Sequence, residues 1–234
     1  MSKALVVLSG GQDSTTCLFL AKNKHDEVHT ISFSYGQKHK IELESAKIVS
    51  TLAYIKDENK HVVEIPENLF PSSALTDKEK EIKSFNSKEI CGDEIQTTFV
   101  PGRNLFFLNV AAMKAYEIGA ETIYTGVCQE ESGGYPDCTS EFINSCQITI
   151  NEAFFGKNNK KRIKIETPLI NLTKKEIVEL AYSMPECWDA MKYTLTCYRG
   201  EWPKPCGTCH SCLLRAKGFD EAGLLDPLLE EDEK

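Results

Sequence analysis

No run of this 234-residue sequence approaches the eighteen apolar residues that a membrane-spanning helix needs. The N-terminal stretch MSKALVVLSGG has neither the long apolar centre nor the small-residue cleavage site of an export signal. The expectation is a cytoplasmic protein with no membrane partner. An excess of positive charge is missing too: 27 Lys and Arg against 35 Asp and Glu leave a formal charge of −8. Tight nucleic-acid binders gather basic residues to displace phosphate counterions. Here the clearest basic cluster is the short KNNKKR at 157–162, so no nucleic-acid partner is expected. Internal repeats are absent, and only the acidic tail LLEEDEK is of low complexity. What remains is 41% apolar and 26% charged, an ordinary globular composition. The length suits one sizeable core, or a core plus a small appendage.

What the sequence does contain is an α/β rhythm. Strands are expected at Leu5–Leu8, Val28–Phe33 and His61–Ile65, with helices at Asp13–Lys24 and from about Lys38 to Tyr54. Residues 104–118 are apolar nearly all round, which predicts a buried helix. A strand at Glu121–Val127, a helix at Ser140–Phe155 and a strand at 163–169 follow. Thr173 and Glu176 then have capping-box spacing before another helix. Strands alternating with helices of this length predict an α/β fold: a Rossmann-like parallel sheet of about five strands with helices on both faces. Residues 66–102 break the rhythm with charge, serine and proline, and read as a functional or mobile loop or as a solvated insertion. After Met184 the periodicity weakens and Cys, Trp and Pro take over. The expected division is therefore an α/β domain over 1–184 and a C-terminal segment over 185–234.

The first expected strand runs straight into SGGQDS at 9–14. Strand, glycine loop and helix together present backbone N–H groups and a positive helix end to a phosphate. Gly10 and Gly11 leave room for close approach, and Ser9 and Ser14 offer hydroxyl donors. Asp13 would repel a bare phosphate, so it reads as a neighbour of bound magnesium or as a helix cap. The Walker A loop is excluded, because it spaces its glycines wider and ends in Lys-Ser or Lys-Thr. SGGxDS resembles the pyrophosphate-binding loop of the N-type ATP pyrophosphatases, which split ATP between the α and β phosphates and activate a substrate oxygen as an adenylate. That resemblance assigns ATP binding to Leu8, Ser9, Gly10, Gly11, Gln12, Asp13, Ser14, Thr15, Thr16, Cys17 and Leu18.

Ten cysteines, without an export signal, point to free thiols, catalytic thiols or metal ligands. Cys197, Cys206, Cys209 and Cys212 follow the pattern C-x8-C-x2-C-x2-C, which suits a closed tetrahedral Zn²⁺ site. A redox pair and an iron–sulfur cluster are the alternatives. His210 is expected to be exposed, or a donor behind the ligands. Cys17 and Cys146 read as small core residues within helices. Cys138 sits between a strand and a helix start, where it either reacts or packs.

Three further motifs fall at the ends of expected strands, where ligands of open α/β sheets bind: SYGQKH at 34–39, VPGRN at 100–104 and GYPDC at 134–138. With SGGQDS and the four cysteines they resemble the 7-cyano-7-deazaguanine synthases of queuosine biosynthesis, and the resemblance runs from Leu5 to Phe219. It implies that 7-carboxy-7-deazaguanine is adenylated by ATP with Mg²⁺, that ammonia displaces AMP to give the amide, and that adenylation of the amide oxygen then yields the nitrile. It also implies a homodimer and an ATP pyrophosphatase-like identity for residues 1–184.

Carried onto the matching positions, the resemblance places Asp13, Ser14, Lys38 and Arg103 in catalysis. Gln37, Arg103, Asn104, Tyr135, Asp137 and Phe142 fall at the substrate. Arg103 is a planar donor for phosphate or carboxylate, or a surface salt-bridge partner. Asn104 reads substrate or caps the helix that follows it. Gln37 and Lys38 contact ligand or form a solvated first helical turn, and Asp137 takes the guanine-like N–H edge or caps the helix near Ser140. Tyr135 and Phe142 stack on the deazapurine or belong to the core. Cys128 and Glu131 depart from the family's asparagine and aspartate, and Lys38 stands where arginine is frequent. Two rival functions are weighed: adenylation of a transfer-RNA base, and a zinc-ribbon module that binds ATP without turnover.

Overall fold

The computed structural model describes residues 1–36, 41–77, 79–86, 97–129, 134–156, 159–201 and 204–230. Five strands form one sheet: β1 (Lys3–Val7), β2 (Glu27–Ser34), β3 (Lys60–Glu64), β4 (Thr122–Tyr124) and β5 (Lys164–Glu166). Their order is β3-β2-β1-β4-β5 and every pairing is parallel. The helices are α1 (Gln12–Lys24), α2 (Ile41–Leu52), α3 (Arg103–Ile118), α4 (Ser140–Phe155), α5 (Lys174–Tyr182), α6 (Pro185–Met191) and α7 (His210–Ala222). No helix among the described residues is long and apolar enough to cross a membrane.

The apolar run of β1 explains the two-sided core. Successive side chains of a strand point to opposite faces. Ala4, Val6 and Leu8 join one cluster with residues of α1, α2, α5 and α6, while Leu5 joins the other with residues of α3 and α4. Helices therefore cover both faces, as expected from the alternation. The central position of β1, with β2 on one side and β4 on the other, puts the reversal of strand order at the end of β1. A crevice opens there in sheets of this type.

Two sequence expectations are corrected. Helix α3 is buried on one face only, through Leu108, Ala111, Ala112 and Ala115, and exposes Leu105, Met113 and Tyr116. The C-terminal segment also holds two helices that weak periodicity concealed. Packed among other helices and loops, α7 buries His210, Cys212, Leu214, Arg215, Gly218 and Phe219, so no single apolar stripe marks it. Cys187, Ala190 and Met191 of α6 enter the same core as β1 and α1. The capping box holds: Thr173 Oγ1 accepts from the Glu176 N–H at 3.3 Å, and Glu176 Oε2 accepts from the Thr173 N–H at 2.8 Å.

The described part of the 66–102 insertion is largely exposed but docks through a few buried residues. Ala74, Leu75, Ile82 and Val100 form a third apolar cluster with Leu195, Cys197, Cys209 and Cys212. Arg199 Nη2 donates to Ile82 O at 3.0 Å and Ser84 Oγ at 2.6 Å, and the Phe85 N–H donates to Thr208 O at 2.9 Å.

Candidate active site

A cavity of about 300 Å³ lies at the carboxyl ends of the strands. One wall is the loop after β1. Its hydroxyls fold the loop on itself: Ser9 Oγ and Ser14 Oγ lie 3.0 Å apart, and Ser14 Oγ donates to Gly11 O at 3.1 Å. Gly11 is the N-cap of α1 and brings no capping side chain. The first N–H groups of that helix thus have no side-chain acceptor at the cap and sit at the helix's positive end, an arrangement suited to an anion.

Two glycines set the loop's position. Gly10 has φ +85°, and its carbonyl accepts from Ser45 Oγ at 2.7 Å and from the Leu195 N–H at 2.9 Å. Gly126, just after β4, packs on the start of α1: a Cβ there would meet the Asp13 carbonyl carbon and the Ser14 nitrogen at 2.9 Å each.

Of the residues assigned to ATP, Leu8, Ser9, Gly11, Gln12, Asp13 and Ser14 line the cavity. Gly10 supports the loop from behind. Thr15, Thr16, Cys17 and Leu18 are buried in α1 and do not line it, and Cys17 and Leu18 belong to the core. Burial, then the nearby Asp13 and Cys187, push the Cys17 thiol well up and keep it protonated.

Asp13 caps nothing. Its Oδ2 takes a 2.7 Å ion pair from Lys174 Nζ, and its Oδ1 is buried with no hydrogen-bond partner among the described residues. Lys174 is a buried cation in the cavity wall that sequence reading missed. It stands inside the capping box, where lysine reads as the first turn of a helix, and its partner is 161 residues away. Removing one member of a buried pair strands the other charge. Lys174→Met is therefore expected to cost about 2–3 kcal/mol after allowing for Asp13's partial exposure. Asp13→Asn in the same chain should restore part of it, measured by urea unfolding of both variants.

The opposite wall comes from the start of α3, the turn Pro136–Cys138 and the C-terminal segment. Arg103 is not a surface residue: it lines the cavity, with Nη1 3.4 Å from Tyr35 Oη. Burial opposes its charge, but Tyr35, Tyr198 and Asp137 around it outweigh that and hold it protonated. Asn104 also lines the cavity, and Gly102 rather than Asn104 is the α3 N-cap. Asn104 Nδ2 donates to Asp137 O at 3.1 Å and Cys138 Sγ at 3.4 Å.

Asp137 does not cap α4. Thr139 does, with Oγ1 accepting from the Phe142 N–H at 3.2 Å. Asp137 Oδ2 instead accepts from the Asn104 N–H at 3.2 Å, at the first turn of α3 and outside the cavity lining. Tyr135 lines the cavity, and its hydroxyl lies 2.7 Å from Thr98 Oγ1. Phe142 packs against the α3–α4 core and does not reach the cavity. Cys138 lines the cavity as a neutral thiol, pushed up to about 12 by burial and by Asp137. Cys128 also lines it, and its Sγ donates to Leu172 O at 3.1 Å. Gln37, Lys38 and Glu131 lie outside the described residues.

Cys197, Cys206, Cys209 and Cys212 converge with their Sγ atoms all within 4.8 Å of one another, a set able to hold one metal ion. Hydrogen bonds from Cys209 and Cys212 draw Cys197 strongly toward thiolate, and the bonds that Cys212 makes to Cys197 and Cys209 push its own thiol far up. The expectation for His210 is corrected in part: it is buried rather than exposed, lines the cavity, and stacks edge-on to Phe85 at 6.0 Å.

The fold and the loop define a class, a Rossmann-like α/β protein whose first strand runs through a glycine loop into its first helix. Within it, the family model described as "Queuosine biosynthesis protein QueC" matches residues 3–223. The 7-cyano-7-deazaguanine synthase of Bacillus subtilis is 43% identical over 220 residues, 94% of each chain. That of Acetivibrio thermocellus is 44% identical over 228 residues, 97% of each chain. The chain belongs to the QueC family. A solved 4-thiouridine synthetase–RNA complex with bound ATP aligns over 95% of this chain and 50% of that chain, at 18% identity and TM-score 0.46, too remotely to carry an argument about the site.

Proposed function

We propose that this chain is an ATP-dependent C–N ligase that converts 7-carboxy-7-deazaguanine and ammonia to 7-cyano-7-deazaguanine through an adenylated carboxylate and an adenylated amide. The observation that carries the reading, beside family membership, is one cavity bounded by both the SGGQDS loop and Arg103. A carboxylate becomes an acyl donor only when its oxygen is made a leaving group, so nucleotide phosphates and a carboxylate-binding cation must share one space.

In this reading the loop from Leu8 to Ser14 seats the ATP phosphates on its backbone and on the start of α1. Lys174 and Arg103 carry the positive charge that the cleaved pyrophosphate and the substrate carboxylate require. Gln37, Lys38, Asn104 and Tyr135 complete the substrate side. Asp137 acts from behind Asn104 by fixing the first turn of α3, and Phe142 acts only through the core. The orphaned Asp13 Oδ1 fits a bound Mg²⁺, which would neutralise phosphate oxygens there. The four thiols fit Zn²⁺, whose contribution is structural closure of the 185–234 segment on the same core. The soluble reactants suit a cytoplasmic enzyme, and the apolar side chains exposed along α3 suit a homodimer.

The test supplies 7-carboxy-7-deazaguanine, ammonium, Mg²⁺ and ATP. AMP and pyrophosphate, not ADP, are expected in step with a nitrile seen by mass spectrometry. AMP release only on addition of transfer RNA would overturn the substrate, and ADP would overturn the pyrophosphatase reading.

A further inference from the structure

Glu42, in the first turn of α2, lines the same cavity and is not explained by either anion that enters it. Its surroundings are close and mixed. Arg103 of α3, Tyr35 after β2, and Tyr198 and Cys197 of the C-terminal segment all interact electrostatically with its carboxyl. Yet it makes no hydrogen bond or ion pair among the described residues. Among the described residues, the carboxylates of Asp13 and Asp137 near the cavity are engaged, by Lys174 and by the Asn104 N–H respectively. Burial pushes the Glu42 carboxyl up to about 7, against the pull of Arg103, so near neutral pH it exists in both forms.

A carboxyl facing a triphosphate and a carboxylate is the wrong charge for both. It is the right charge for the third reactant, which reaches the site from water as ammonium. We propose that the Glu42 carboxylate is the base that takes protons from the substrate nitrogen in both halves of the reaction. In the first half, ammonium gives Glu42 one proton. The ammonia so freed forms the C–N bond at the acyl carbon, the C–O bond to AMP breaks, and AMP leaves with that electron pair and takes up the nitrogen's surplus proton. Glu42 then returns its proton to solvent. In the second half, the nitrogen of the O-adenylated amide has lost one proton to water and gives its last to Glu42. The freed pair completes the carbon–nitrogen triple bond, and AMP leaves with the C–O pair.

This inference rests on the reaction proposed above, and the test separates the two. Glu42→Gln keeps the shape of the side chain and removes the base. Pyrophosphate–ATP exchange driven by the carboxylate is expected within about threefold of the parent. Amide formation from ammonium, and nitrile formation from supplied amide, should both fall by about 10²–10⁴-fold. Hydroxylamine, already neutral near pH 7, should restore capture of the adenylate as the hydroxamate. Glu42→Asp should lie between parent and Gln.

The parent's nitrile rate is expected to rise as pH passes about 7, and that limb should vanish in Glu42→Gln. Parent-like nitrile formation by Glu42→Gln overturns the inference. So does loss of exchange in both variants, which would give Glu42 a role in ATP binding or folding. A parent that shows no exchange at all overturns the proposed reaction itself, and the inference falls with it.

Discussion

Gly10→Ala is expected to abolish ATP binding and to lower the unfolding free energy by about 2–5 kcal/mol, while Gly119→Ala costs no more than about 1–2 kcal/mol. The two glycines share a left-handed backbone, at φ +85° and φ +72°. An L side chain is therefore strained at both positions. They differ in what surrounds them. Nothing lies within 4 Å of a Cβ built on Gly119 at the end of α3, whereas one built on Gly10 meets Glu42 O at 2.6 Å, Ala46 N at 2.7 Å and Ser45 Cβ at 2.9 Å. Two of those three are backbone atoms of α2, so no rotamer change relieves the contact. The loop must move away from α2, and its carbonyl then loses the Ser45 and Leu195 bonds that aim the α1 N-terminus. Thermal unfolding with and without ATP separates the effects. ATP should shift the transition of Gly119→Ala and leave that of Gly10→Ala in place. An ATP-induced shift of parental size in Gly10→Ala would show that the loop tolerates displacement and that its register is not what binds phosphate.

Legibility in the sequence followed the range of the forces. The β1–loop–α1 unit, the Thr173–Glu176 cap and the full extent of α4 depend on neighbours within a few residues, and each was readable. The convergence of the four cysteines was readable because their x2 spacings already hold three of the thiols close together along the chain. Lys174 and Glu42 were not, since each looks like ordinary charge in the first turn of a helix. Only the fold brings Lys174 to Asp13 and Glu42 to the neighbourhood of Arg103. The error at α3 has the same origin. Apolar residues all round a helix say that every face avoids water, but not whether this chain alone covers them, and Met113 and Tyr116 are uncovered. Asp137 reads from the sequence as a substrate acceptor or as a cap for the helix near Ser140, whereas its carboxylate takes the Asn104 N–H in the first turn of a helix that begins 34 residues earlier, at Arg103.

The largest structural effect is expected from the cysteine cluster, and it should spread into the insertion. Cys206→Ser in metal-loaded protein is expected to lower the unfolding free energy by about 3 kcal/mol or more, roughly a quarter of the about 10–16 kcal/mol that a structural zinc site supplies in zinc-finger peptides. Amide exchange should accelerate across residues 195–212 and also across 73–86. The coupling is physical. Cys197, Cys209 and Cys212 share an apolar cluster with Ala74, Leu75, Ile82 and Val100. Arg199 and Thr208, in the segment that carries the cysteines, hold Ile82, Ser84 and Phe85 by hydrogen bonds. Without a cation the four sulfurs cannot all be thiolates at this separation, so the segment must either keep its protons or spread apart. Spreading removes the surface on which the insertion rests, and with it Leu75 and His210 from the cavity wall. Acid should act in the same direction, because protons compete with the metal for the thiolates and metal loss grows as pH falls. The β1–α1 unit has its own core and should keep its slow exchange. If exchange stays slow at 73–86 after the metal is stripped, the insertion is held by its own contacts and the cluster is not its anchor. If Cys206→Ser keeps full stability and loses only turnover, the site is not structural at all.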